Sequence, residues 1–78
     1  MKLRAVFADN LRRRRRDAGL SQEELAHRAD IDRTYVSMLE RQEYAVSLDV
    51  IERLADALGA QPYEMLIGVE GRAPADAS

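Results

Sequence analysis

The stretch Gln22–Arg41, QEELAHRADIDRTYVSMLER, decides the fold. Leu25, Ala26 and Ala29 recur at the spacing that lines one face of a helix, and Val36 and Leu39 do the same for a second helix. The periodicity breaks around Asp30 and Ile31. Ser21, with Glu24 three residues on, forms a capping box that satisfies two orphan backbone donors, and Asp32 is a good N-cap for the second helix. Ala26 is small where two steeply crossing helices must come close. The pattern predicts one short helix opening at Ser21 and ending near Arg28 or Ala29, and another from after Asp32 to about Arg41. Ile31 lies in the turn between them. Val36 and Leu39 anchor the second helix on the first, which leaves Arg33, Thr34, Ser37, Met38 and Arg41 pointing away.

Outward from this pair the chain stays helical, with no internal repeat and almost no strand signal. A first helix is expected from about Leu3 to Ala18, with Leu3, Phe7 and Leu11 on one stripe and Gly19 suited to the left-handed position after its end. Ser47 caps a fourth helix running to Leu58, with Leu48, Ile51, Leu54, Ala55 and Leu58 at helical spacing, and Gly59 stops it. Pro62 suits the first position of a fifth short helix through about Ile67. The expected architecture is all-α, five short helices in one domain over residues 1–68. Residues 69–78 have nothing to bury and are expected to form a disordered tail.

The 78 residues suffice for one small domain, and the absence of cysteine removes disulfides and thiolate metal sites. No apolar run approaches the roughly 20 residues that span a bilayer, and the N-terminus lacks the pattern of a secretory signal. A cytoplasmic protein with no membrane association is the expectation. Net charge is −2 and the pI about 5.3, which argues at first sight against nucleic acid. The average hides an asymmetry. Residues 1–41 carry ten Lys/Arg against seven Asp/Glu, and residues 42–78 carry two against seven. Partner choice depends on local potential, so this distribution is compatible with DNA on one side.

Two short helices at about 90–120° joined by a tight turn make a helix-turn-helix unit, whose second helix fits the roughly 12 Å major groove of B-DNA. The segments Ser21–Ala26 (SQEELA), Ile31–Glu40 (I-x-x-x-x-V-S-x-L-E) and Leu54–Ala60 (LADALGA) resemble the lambda-repressor-like Cro/CI (XRE) helix-turn-helix family over about Phe7 to Leu66. The resemblance implies double-stranded DNA as the partner. It places Arg33 and Thr34, with Ser37 and Met38 one turn on, where family members touch bases. Arg33 could contact guanine O6 and N7 bidentately, worth about 1–3 kcal/mol of discrimination, whereas Met38 offers only apolar contact. Gln22 would bond a phosphate at the head of its helix. Tyr35, Arg41 and Tyr44 flank the reading surface as candidates for phosphates. Arg15 and Glu40 occupy positions that the family often pairs, so Arg15 is expected to be structural. Two departures stand out. The family commonly has glycine where this chain has Asp30 and Gln42, and proline where it has Val46, so the path of the loop 42–46 transfers least.

Other features read more plainly. The run Arg12–Arg16 winds around the whole helix and cannot form one patch, so mostly solvated or ion-paired roles are expected, with Arg12 or Arg16 as candidate phosphate neighbours. His27 has no metal-ligand companions, and Asp49, Glu52 and Asp56 read as a solvated face. No metal, cofactor or small-molecule effector is implied. No nucleophile–base pair is evident, so an enzyme is not expected. Met65 and Leu66 are assigned to the core. Tyr63, Ile67 and Val69 form an apolar excess suited to a homodimer interface rather than a simple cap. The function expected is a DNA-binding transcriptional regulator, a repressor on a pseudo-palindromic operator. A restriction–modification controller (suggested by Asp32–Ser37), an antitoxin and a protein-interaction adaptor are the alternatives.

Overall fold

Each α-helix begins where a side chain can meet its first amide groups or where the chain enters in an extended conformation. The computed structural model describes residues 2–68, so Val69 and the tail expected over 69–78 lie outside the described residues. It contains α1 (Leu3–Asp17), α2 (Gln22–Ala29), α3 (Arg33–Glu40), α4 (Leu48–Ala57) and a 3-10 turn, Pro62–Leu66; among the described residues there is no strand. The Ser21 hydroxyl accepts from the Glu24 amide at 3.0 Å while Glu24 accepts from the Ser21 amide at 2.9 Å. That second bond holds the Glu24 carboxyl below its ordinary pKa. Asp32 caps α3 through the Thr34 amide at 2.7 Å, and Ser47 caps α4 through the Val50 amide at 3.2 Å. The fifth helix expected from the sequence is this 3-10 turn, too short for a regular α-helical segment, with Pro62 at its start.

All four α-helices stop the same way. The amides of Leu20, Ile31, Glu43 and Ala60 reach back to the carbonyls of Arg15, Ala26, Met38 and Ala55 at 2.8–3.0 Å. This is the Schellman closure, which needs a left-handed residue between. Glycine fills that position at Gly19 and Gly59, but Asp30 (φ 58°) and Gln42 (φ 63°) fill it at the two turns that bound α3. Asp30 tolerates the conformation through its short polar side chain. Arg53 on α4 also reaches it, donating to the Asp30 carbonyl at 3.3 Å. Glutamine lacks that local compensation.

The core gathers Phe7 and Leu11 of α1, Leu25, Ala26 and Ala29 of α2, Val36 and Leu39 of α3, and Val50, Ile51, Leu54 and Ala55 of α4, closed by Met65. α2 packs on α3 and α4, α1 packs on α3, and the 3-10 turn sits against α1 and α4. Two residues of the expected stripes depart from this. Leu3 and Leu48 are 57% and 78% exposed. Each is the first residue of its helix, and helical side chains lean toward the N-terminus, here beyond the last covered turn. Val50 is buried in α4 instead. Leu3 and Leu48 line a shallow apolar groove with Tyr44, floored by Phe7, Val46 and Ile51.

The left-handed turns make a direct test. Gln42→Gly is expected to raise the unfolding free energy in urea by about 0.5 kcal/mol, because relief of the φ strain outweighs the added entropy of the unfolded chain. Gly59→Ala, where an added Cβ meets nothing within 4 Å, is expected to lower it by about 1 kcal/mol through conformation alone. Equal losses from both substitutions would show that position 42 is not strained.

Candidate nucleic-acid interface

The site is built on a buried anion. Glu40, the last residue of α3, has a side chain only 2% exposed, and Arg15 of α1 meets it as a fork: Nε to Oε2 at 2.7 Å and Nη2 to Oε1 at 3.1 Å. The third nitrogen of Arg15, Nη1, donates to the Leu20 carbonyl at 2.9 Å. Arg12 donates to the Glu40 carbonyl at 2.8 Å, and its Nε lies 3.7 Å from Oε1. A cation there also suits the negative end of the α3 dipole. Gln22 Nε2 donates to Oε1 at 3.1 Å. Helices α1, α2 and α3 are thereby tied at one point, and this places the outer face of α3.

On that face Arg33 and Thr34 are exposed, while Ser37 and Met38 are half-buried. The structure brings the expected residues together in groups. Arg33 and Gln22 line one shallow cleft with Arg15, Ser21 and Glu23, where the heads of α2 and α3 meet. Gln22 is held there by Glu40, at the rim of the outer face of α3. The rings of Tyr35 and Tyr44 meet edge to face, centroids 6.4 Å apart, joining α3 to the loop 42–46. Tyr35 is half-buried against the core, and Tyr44 is 55% exposed. Arg41 Nη1 donates to the Ser37 hydroxyl at 2.6 Å, so these two act as a unit.

Arg41 has a second partner that sequence reasoning missed. Its Nε and Nη2 donate to the Glu43 carboxylate at 3.1 and 3.0 Å. This pairing raises the Arg41 pKa and lowers that of Glu43. The left-handed turn at Gln42 folds Glu43 back onto Arg41, so the local signal was the glycine-type position between them. Arg12 was also missed as a Glu40 partner; it lies one helical turn from Arg15, on the same side of α1. Tyr63 and Ile67, expected at a dimer interface, are 65% and 55% exposed. Asp49, Glu52, Asp56 and His27 are exposed.

A model of the helix-turn-helix family matches residues 11–65, which include α2, α3 and the side chains that meet Glu40. The chain belongs to the helix-turn-helix family. It is 47% identical over 70 residues to a hypothetical transcription factor of Neisseria meningitidis, covering 90% of this chain and 66% of that relative's length. It is 43% identical over 65 residues to control protein C.BamHI of Bacillus amyloliquefaciens, covering 82% and 80% of the two chains. Among solved structures, the restriction–modification controller C.AhdI of Aeromonas hydrophila superposes with a TM-score of 0.77 at 44% identity, over 80% of this chain and 94% of that one. In the described residues of this helix-turn-helix chain, no helix is long and apolar enough to cross a membrane.

Two outcomes test the site. Glu40→Ala strands the Arg15 guanidinium, 11% exposed, and is expected to cost about 3 kcal/mol of unfolding free energy in urea; a loss under 1 kcal/mol would mean the hub is dispensable. Glu43→Gln removes an anion beside Arg41 and is expected to tighten duplex binding at low salt and steepen the log K against log salt slope by about one unit. An unchanged slope would place Arg41 off the phosphates.

Proposed function

We propose that this chain is a sequence-specific transcriptional regulator that inserts α3 into the DNA major groove as a homodimer on a pseudo-palindromic operator. The observation that carries the reading is the pairing of an exposed Arg33–Thr34 first turn with a buried Glu40 hub that fixes the helix bearing it. A base-reading helix needs both: donors facing outward and a rigid frame to aim them. In this reading Arg33, Thr34, Ser37 and Met38 face bases, and Gln22, Tyr35, Arg41 and Tyr44 face phosphates. Arg15 stays with Glu40 and touches neither.

Size supports the homodimer reading. One protomer measures 33 × 22 × 21 Å with a single α3, whereas successive major grooves on one DNA face lie about 34–36 Å apart. Two copies joined through Tyr63 and Ile67 would present two reading helices to two half-sites. Occlusion of the promoter, hence repression, is the simplest consequence. Three relatives favour a narrower version, control of a restriction–modification system: C.BamHI, C.AhdI and C.SmaI of Serratia marcescens, the last 36% identical over 66 residues. That version places the operator beside genes for a restriction endonuclease or a DNA methyltransferase.

The test is selection of bound duplexes from a random library, followed by titration of the selected duplex against salt. An enriched inverted repeat is expected, with Arg33→Ala losing about 1–3 kcal/mol of discrimination at one base position per half-site. Equal binding of every duplex would reduce the protein to phosphate contact. No binding to any duplex would favour a protein-interaction adaptor.

A further inference from the structure

Asn10 shares with Glu40 the distinction of being a polar side chain sealed in the core, and the reading of α3 makes no use of it. Its Nδ2 donates to the carbonyls of Met65 at 2.9 Å and Ile67 at 2.8 Å, and its Oδ1 accepts from Arg13 Nη2 at 2.9 Å. One residue beyond Arg13, Arg14 reaches Glu64 at 3.4 Å. Positions 10 and 14 of α1 therefore grip the 3-10 turn and its exit, with Arg13 bonded to Asn10, while positions 12 and 15 grip Glu40 at the end of α3. The arginine run is split between two tasks, and α1 is the beam between them.

The Asn10 bonds do little for burial. Met65 already anchors the turn in the core, fully buried, and the second bond of Asn10 lands beyond it, on the backbone of exposed Ile67. A bond at that place fixes the direction of the segment that carries Tyr63 and Ile67. An amide suits the task because one nitrogen offers two hydrogens to two carbonyls while its oxygen receives Arg13.

We propose that Asn10 is a positioning residue for operator geometry. By holding the segment Pro62–Ile67 to α1, which Arg15 locks to α3, it sets the separation and angle of the two reading helices in a dimer. Those two quantities decide which half-site spacing the protein accepts. The inference rests on the homodimer reading above.

The test uses the full chain and three duplexes: the one that the wild type selects from a random library, the same with one base pair inserted between its half-sites, and a single half-site. The insertion rotates one half-site by about a tenth of a turn. The wild type is expected to lose at least about tenfold in affinity on the insertion. Asn10→Ala is expected to keep its single half-site affinity within about twofold, yet to separate the two spacings by less than about threefold. Folded Asn10→Ala with wild-type discrimination between spacings overturns the inference. Parallel loss of single half-site binding also overturns it, because Asn10 would then serve stability alone. Where circular dichroism shows Asn10→Ala unfolded, Asn10→Ser decides instead, since its hydroxyl keeps a polar group at the site but has one hydrogen and cannot bond both carbonyls. Weakened discrimination between spacings supports the proposal, and unchanged discrimination overturns it. A wild type that selects no paired half-sites fails the homodimer reading itself, and the inference with it; the wild-type arm alone shows that outcome.

Discussion

A carboxylate withdrawn from water must be met by charge and hydrogen bonds or it destabilises the fold, and Glu40 is met from two other helices at once. The demand is directional. A fork of guanidinium hydrogens on two carboxylate oxygens accepts only a narrow range of positions, whereas apolar packing of Val36 and Leu39 tolerates some sliding. Helix α3 has eight residues, too few to persist alone, so its orientation comes wholly from what it touches. Burying Glu40 thus converts a short segment of weak intrinsic helicity into an element with a defined face. It also explains the order of partners: Arg15 takes both oxygens, Gln22 shares one, and Arg12 turns to the carbonyl at the same residue.

The ends of α3 carry the opposite tendency. Both turns that bound it demand left-handed backbone, and neither has the residue best suited to it. At Asp30 the mismatch is softened by the residue's own chemistry and by Arg53 reaching over from α4. At Gln42 it persists, and the same turn brings Glu43 back to Arg41. Backbone strain of this kind survives where the surrounding structure over-determines it. Here the surroundings are the Glu40 hub just before the turn and the Tyr35–Tyr44 contact just after it. The left-handed turn is what allows one chain to place both of these within a few residues.

The parts of this arrangement that sequence made legible are those governed by neighbours in the chain. Ser21 with Glu24, Asp32 and Ser47 mark helix starts because a cap needs a polar atom two or three residues before an amide. Gly19 and Gly59 mark stops for a similarly local reason. Interior stripes were legible as well, since Leu11, Leu25, Leu39 and Leu54 have neighbours on both sides. Leu3 and Leu48 were not, because periodicity identifies a face without saying whether another element covers its first turn. The fifth segment read as helical because Pro62 suits either helix type. For the candidate site, family resemblance pointed to Arg15 and Glu40. The roles of Arg12 and Asn10 depend on elements 28 to 57 residues away. No local pattern encodes such a distance.

Electrostatics joins the frame to the reading surface. The first half of the chain carries a formal excess of positive charge, yet much of it is committed internally: Arg12 and Arg15 to Glu40, Arg13 to Asn10, Arg14 to Glu64 and Arg41 to Glu43. The arginine run that invites a simple basic-patch reading is mostly structural. In the proposed reading, a regulator built this way would draw less on broad counterion release, which attracts every duplex alike, and more on a few oriented contacts from Arg33, Thr34 and Gln22. The frame matters more for such a protein than for a strongly basic one. With little sequence-independent attraction to rely on, a small error in the aim of α3 would, in that reading, remove a large share of its affinity. The acidic balance of the chain and the heavy use of arginine as internal bracing are then two sides of one design.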